Sequence, residues 1–220
     1  MAGEKKYISR LTLVLSVVAG FCDTATFVAG DNIFSAHVTG NFIVFAAQIV
    51  LGKDELAWIK LITFPVFVIA VIAGGWLSEV KNNNRYHLLL VEGLLLVTCG
   101  AGAFFSHYLF LQKDFTYWAV MMVVFAMGLQ NAFGKLFAKE THGPTTMMTG
   151  NVTQASLDLG TLLRKGFSTE ISEALKKQLF LIGGFLLGCL LGAVLGSEWG
   201  LDSVFLPGMA ILISYNFLLK

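Results

Sequence analysis

Along this 220-residue chain, long apolar runs alternate with short polar crossings, and the runs rather than any local motif set the expected architecture. Eight apolar segments can be read, near residues 10–29, 34–52, 58–79, 88–111, 115–137, 145–163, 178–196 and 203–219. Runs of about 20 residues with helical composition match helical membrane spans, whereas an outer-membrane barrel would show shorter alternating segments. The expected fold is therefore all-α: a polytopic helical membrane protein with about eight transmembrane segments, forming one transmembrane domain over residues 1–220. Six spans with broken helices is the alternative.

The second pattern is a repeat. Gly20 and Asp23 fall on Gly128 and Asn131 at an offset of 108, and Thr39, Gly40 and Asn41 fall on Thr149, Gly150 and Asn151 at an offset of 110. Two motifs in the same order and at nearly the same separation mark a duplication, with copies at 10–111 and 115–219. Four helices per copy would return the second copy in the orientation of the first, about an axis along the membrane normal. An odd number of crossings would invert it.

Composition agrees with a bilayer: 56% of residues are hydrophobic and 13% charged, where soluble domains carry about a quarter charged. The lipid bilayer is thus an expected partner. A net charge of +1 leaves no electrostatic footprint for nucleic acid. Cys22, Cys99 and Cys189 lie inside apolar runs and read as small fillers, not a disulfide framework. The basic, then apolar, N-terminus imitates a secretory signal, but its internal counterpart argues for a retained span. With the N-terminus inside, Lys5, Lys6, Arg10, Lys53, Lys60, Lys113, Arg164, Lys165, Lys176, Lys177 and Lys220 fall on the cytoplasmic side. Lys81, Arg85, Lys135 and Lys139 fall outside, so both termini are expected in the cytoplasm. The stretch Arg164–Lys177 reads as a solvated linker able to form a short surface helix.

The seventh segment carries Gly184, Gly188, Gly192 and Gly196 at four-residue spacing, a smooth face that lets another backbone approach. Packing inside the monomer is one use, and a homodimer seam the sharper one.

Candidate chemistry is read from depth. Asp23 lies about six residues before the outer end of segment one and Asn41 about seven into segment two, which puts both roughly 10 Å below the outer surface. The same arithmetic places Asn131 and Asn151 there, so four polar side chains would ring a pseudo-two-fold axis. An ionisable residue in a span is by default a functional candidate, and no basic residue in its own or the following span lies at the depth of Asp23. Against this stands a cluster that only ties helices together. Gly40 and Gly150, beside the asparagines, permit close packing or a helix break that exposes backbone groups to a solute. The sixth segment, with Thr149, Thr153, Ser156 and Gly160 on one stripe and Gly150, Gln154 and Asp158 on the next, is expected to face the interior. Asp158 aligns with Gln48 and is close enough to the inner interface to snorkel or to pair with Arg164. His37 reads as hydrated near the outer interface or as a proton relay. It makes no ligand spacing with His87, His107 or His142, so no metal site is expected. Glu92 and His107 lie near opposite ends of segment four and should reach the interfaces.

These motifs carry a resemblance. Gly20 to Asp23, Thr39 to Asn41, Gly128 to Asn131 and Thr149 to Asn151 are similar to elements of the YoaK family of uncharacterised bacterial membrane proteins, over most of the chain. The resemblance implies a bacterial inner-membrane location and no established activity. His37-Val38 stands where the family would place a methionine before the threonine.

The expected function is a small-molecule permease or secondary transporter with a polar site between the repeats. Asp23 and Asp158 would exchange protons or bind a cation, while Asn41, Gln130, Asn131, Asn151 and Gln154 orient a small polar solute. The alternative is a non-transporting membrane protein that binds a lipid or a partner helix. No nucleophile with a placed base and no cofactor motif is visible, so an enzyme is not expected. A transporter needs a wet, asymmetric polar cavity; an interaction module needs mutually satisfied polar groups and an outward glycine face.

Overall fold

The computed structural model describes residues 2–52, 56–79, 86–108 and 112–218, with side chains left out at 2–6, 107–108, 112–114 and 218. Lys53, Lys81, Arg85 and Lys220, and the side chains of Lys5, Lys6, His107 and Lys113, therefore lie outside the described residues. The described chain is all-helical: α1 (Ala2–Ala29), α2 (Gly40–Leu51), α3 (Ile59–Glu79), α4 (His87–Tyr108), α5 (Gln112–Leu136), α6 (Met148–Lys165), α7 (Thr169–Trp199), a 3₁₀ turn (Gly200–Val204) and α8 (Phe205–Leu218).

Five stretches are long and apolar enough to cross a membrane: Tyr7–Ala29, Ile59–Glu79, His87–Ser106, Phe115–Leu136 and Thr169–Phe217. The last is folded back on itself at the 3₁₀ turn, giving α7 and α8. The protein is a polytopic helical membrane protein. The 12 residues of α2 extend only about 18 Å at 1.5 Å per residue, short of a hydrocarbon core of about 30 Å.

Close contacts give the six long-packed helices their directions. Helices α1 and α7 run parallel, since Gly184 meets Leu13 and Ser16, Gly188 meets Val17, and Gly196 meets Ala25. So do α3 and α5, where Gly128 meets Ala70 and Gly74 meets Ala132. But α1 and α5 are antiparallel: Gly30 lies against Val120, while the Gln130 Nε2 donates to the Leu15 carbonyl. Helices α4 and α8 are antiparallel too, with Gly93 on Leu212 and Gly100 on Phe205. Cys99 bonding Ala119 and Tyr86 stacking near Phe133 set α4 against α5.

Hence α1, α4 and α7 run one way and α3, α5 and α8 the other, for six passes instead of eight. Lys60 at the start of α3 bonds Asp31 just past the end of α1, so the excursion through α2 rejoins the face it left. The cavity that joins Ser9, His142 and Lys177 returns the α6 excursion to the opposite face in the same way. Three passes per half invert the second half. The expectation that 10–111 and 115–219 are like-oriented is overturned, because segments two and six do not cross. The side assignments change with it: Lys60 lies on the face where α1 ends, and Lys135 and Lys139 on the face where α1 begins.

Helices α1 and α5 form the centre, burying Leu15, Val18 and Cys22 against Val123, Val124 and Met127, while α3 and α7 turn residues such as Trp76 and Leu190 outward. The glycine stripe is used inside the chain. Gly184, Gly188, Gly192 and Gly196 are all buried, and a Cβ at Gly188 would sit 2.1 Å from the Val17 carbonyl oxygen. A homodimer seam through these four glycines is excluded, since α1 already occupies the face. In the Arg164–Lys177 stretch only residues 166–168 lie between helices; from Thr169 the chain is helical, the first part of α7, with no residue of the stretch buried.

Candidate functional site

Two loops fold back into the bundle, one at each face, and the sequence motifs are what hold them there. The first loop, at the face where α1 ends, begins where Asp31 and Asn32 take left-handed backbone angles, φ 61° and 56°, a conformation short polar side chains tolerate better than others. The chain then reverses along α1. The Asp23 carboxylate accepts from the Ala36 N–H at 2.7 Å and the His37 N–H at 3.2 Å, and its second oxygen bonds His37 Nδ1 at 2.6 Å. Asn41, fully buried, acts as a strand-like partner for the backbone seven residues earlier. Its Oδ1 accepts from the Phe34 N–H at 2.8 Å, and its Nδ2 donates to the Phe34 carbonyl at 2.8 Å and to Thr63 Oγ1 at 3.0 Å.

The second loop, at the face where α1 begins, is tied by the equivalent residues. Asn151 Nδ2 donates to the Pro144 carbonyl at 2.8 Å, again seven residues back; proline has no N–H to return a second bond. Asn131 Nδ2 donates to Thr146 Oγ1 at 2.9 Å, and Gln130 Nε2 donates to Thr145 Oγ1 at 2.8 Å. His142 is anchored to α1 through Thr12 Oγ1 and Ser9 Oγ.

Asp23 and Asn41 therefore hold one loop and Gln130, Asn131 and Asn151 the other, and the two groups lie at different depths. Along α1, Asp23 is eight residues from Leu15, which bonds Gln130, a separation of about 12 Å. The expected ring of four side chains is overturned because inversion sends equivalent residues to opposite depths. Nor is Asp23 without a cationic partner, since the following loop delivers His37.

The sixth segment does not face the interior. On α6 the residues Thr149, Gly150, Thr153, Gln154, Ser156 and Gly160 are exposed, and Gln154 Nε2 donates to Asp158 Oδ1 at 2.8 Å along the same helix. Asp158 thus bonds Gln154, and neither joins the loop ties. Gly150 sits within α6 and breaks nothing; Gly40 opens α2 beside the Phe34 ring.

Glu92 is the buried acid the sequence placed wrongly. It has no exposed surface, and neither carboxyl oxygen has a hydrogen-bond partner among the described residues. An acid inside an apolar run was the available signal, but its distance from the helix end suggested an escape that α5 and α8, the helices packed on α4, block. The Asp31 and Lys60 pair went unseen because its members are 29 residues apart.

A cavity of about 660 Å³ opens at the face where α1 begins, lined by Ser9, Lys139, Thr141, His142, Glu173, Lys176 and Lys177 among others. Burial, and then the Lys177 ammonium, hold His142 below the ordinary imidazole range. At the other face the Asp23 hydrogen bond holds His37 above it. A raised histidine stabilises fully below its unfolded pKa, about 6.5, and loses that contribution as pH rises through its folded value. The melting temperature of wild type should therefore exceed that of His37→Gln most near pH 6, with the gap closing toward about pH 9. A constant gap would mean the pair does not titrate.

The family model for a protein of unknown function, DUF1275, matches residues 11–217. The chain belongs to this family. No curated protein and no solved structure matches it. Both tucked loops and Glu92 lie inside the stretch that defines DUF1275 here.

Proposed function

We propose that this DUF1275 member is a small-molecule permease, a proton-coupled secondary transporter of the bacterial inner membrane with both termini cytoplasmic. The observation that carries the reading is the architecture: two oppositely oriented halves, each with a loop folded into the bundle and followed by a helix at its mouth. Inverted halves with discontinuous helical elements are a recurrent way to build alternating access, since each half offers the other's face a matching gate.

Several contacts support the repeats at 10–111 and 115–219. Helix α1 packs on α7 as α5 packs on α3: a Cβ at Gly20 would meet the Phe185 carbonyl, and one at Gly128 the Phe67 carbonyl. Asn41 grips Phe34 as Asn151 grips Pro144. The orientation rests on charge. Arg10, Lys135, Lys139, Arg164, Lys165, Lys176 and Lys177 gather toward the face where α1 begins, while Lys60, on the other, is buried and paired. The basic lining of the inner cavity favours a solute with an anionic group.

One observation favours a non-transporting membrane protein instead: Asp23, Asn41, Asn131 and Asn151 are satisfied by their own loops. Its occupant would be a lipid chain in the apolar groove of about 310 Å³ between Leu13, Val17, Phe21, Leu191, Leu195 and Leu206, because the glycine face is taken. Proteoliposomes with an entrapped pH dye separate the readings. Pools of small anionic metabolites should change the internal pH only in vesicles that contain the protein. If no pool of any charge gives a protein-dependent signal, the permease reading falls.

A further inference from the structure

Glu92 sits in the middle of the bundle. The contacts of Tyr86 with Phe133 and of Cys99 with Ala119 bracket it along α4, which places it level with Ala126 and Met127 of α5. On α1, Cys22 lies within its electrostatic reach. A carboxylate there would be an uncompensated charge in hydrocarbon, a cost of several kcal/mol at least. Something must balance it.

Two balancing species exist, a metal cation and a proton, and the surroundings choose between them. A hard cation needs several oxygen ligands, whereas the buried residues at this level are Leu89, Leu96, Val123, Ala126 and Met127. The titratable groups on the packed helices are few. Asp23 on α1 is engaged by His37, Cys99 on α4 donates to Ala119, and Tyr215 is the buried one on α8. The core is also short of donors, since Gln130 Oε1 is a buried acceptor without one. A proton satisfies Glu92 and a metal ion does not.

We propose that Glu92 is an intramembrane proton-binding site, a carboxyl that holds a proton while enclosed and exchanges it when water reaches it. This rests on the permease reading only for the use made of the proton. Toward the face where α1 ends lies the Asp23–His37 pair, with the His37 side chain 39% exposed to water. Binding adds a proton to one carboxyl oxygen; release returns it to water.

Infrared difference spectra of the purified protein in lipid test this without a solute. At neutral pH the wild type should show the carbonyl band of a protonated carboxylic acid, shifted in D₂O and lost in Glu92→Gln. Glu92→Asp should move the band rather than abolish it, which keeps the test open if the glutamine variant folds poorly. Absence of the band at neutral pH overturns the proposal, as does a band that never responds to D₂O, which marks a static acid. Bleaching of the band by sodium chloride would overturn it in favour of a metal cation. If the band behaves as expected but no solute moves protons, the proton site stands and the permease reading fails.

Discussion

Gly188→Leu should prevent the bundle from closing, whereas Gly183→Leu, on the same helix, should be nearly silent. At Gly188 a single added carbon would lie 2.1 Å from the Val17 carbonyl oxygen and 2.9 Å from the Phe21 nitrogen. Both are backbone atoms of a neighbouring helix and have no rotamer to escape into. Close helix approach through small residues is the main source of association in lipid, where no hydrophobic force acts between helices. The loss should exceed the usual overpacking cost of about 1–3 kcal/mol, because α1 and α7 must separate along their length. Gly183 meets nothing within 4 Å, so leucine there should change stability by less than about 0.5 kcal/mol. Size-exclusion profiles and thermal unfolding in detergent read both. Equal behaviour of the two variants would mean that α7 does not lie on α1 as described.

The second large effect is at the face where α1 ends, where Lys60 is fully buried and bonded to Asp31. Tyr117 donates to the same carboxylate oxygen at 3.3 Å, so this one acid joins α1, α3 and α5. Asp31→Asn keeps the left-handed backbone acceptable but removes the charge that balances the ammonium. Breaking a buried pair in this way costs up to about 3–5 kcal/mol. Adding Lys60→Met should recover most of the loss, since the double variant leaves no buried charge. A double-mutant cycle by thermal unfolding measures it, and additive losses would show that the two side chains do not depend on each other.

How the sequence misled is instructive at segments two and six. Phe34, Ala36 and Val38 are apolar and counted toward a span, yet they form a folded-back loop. Hydropathy scores side chains, but what forbids a loop in hydrocarbon is its unsatisfied backbone. Here Asp23 and Asn41 satisfy that backbone from outside the loop. The task of these motif residues, holding a loop, was hidden by the span they seemed to belong to. The pairing of His37 with Asp23 was hidden for the same reason: only the reversal of the loop brings them together.

Membership of the bilayer, helical structure and the glycine face of α7 follow from the chain alone, because each is a property of one segment's composition and spacing. The paired asparagines are legible in the same way. Direction is different. It depends on the parity of crossings, and parity turned on whether two apolar stretches crossed or returned. That was decided by hydrogen bonds between residues as far apart as Asp23 and Ala36, and by which partner filled the glycine stripe. Once two crossings are removed the halves invert, Asp23 and Asn131 part to opposite depths, and Glu92 is enclosed where α4 packs on α5 and α8. Burial of a side chain is a property of its neighbours in space, which is why only the tertiary structure placed that acid.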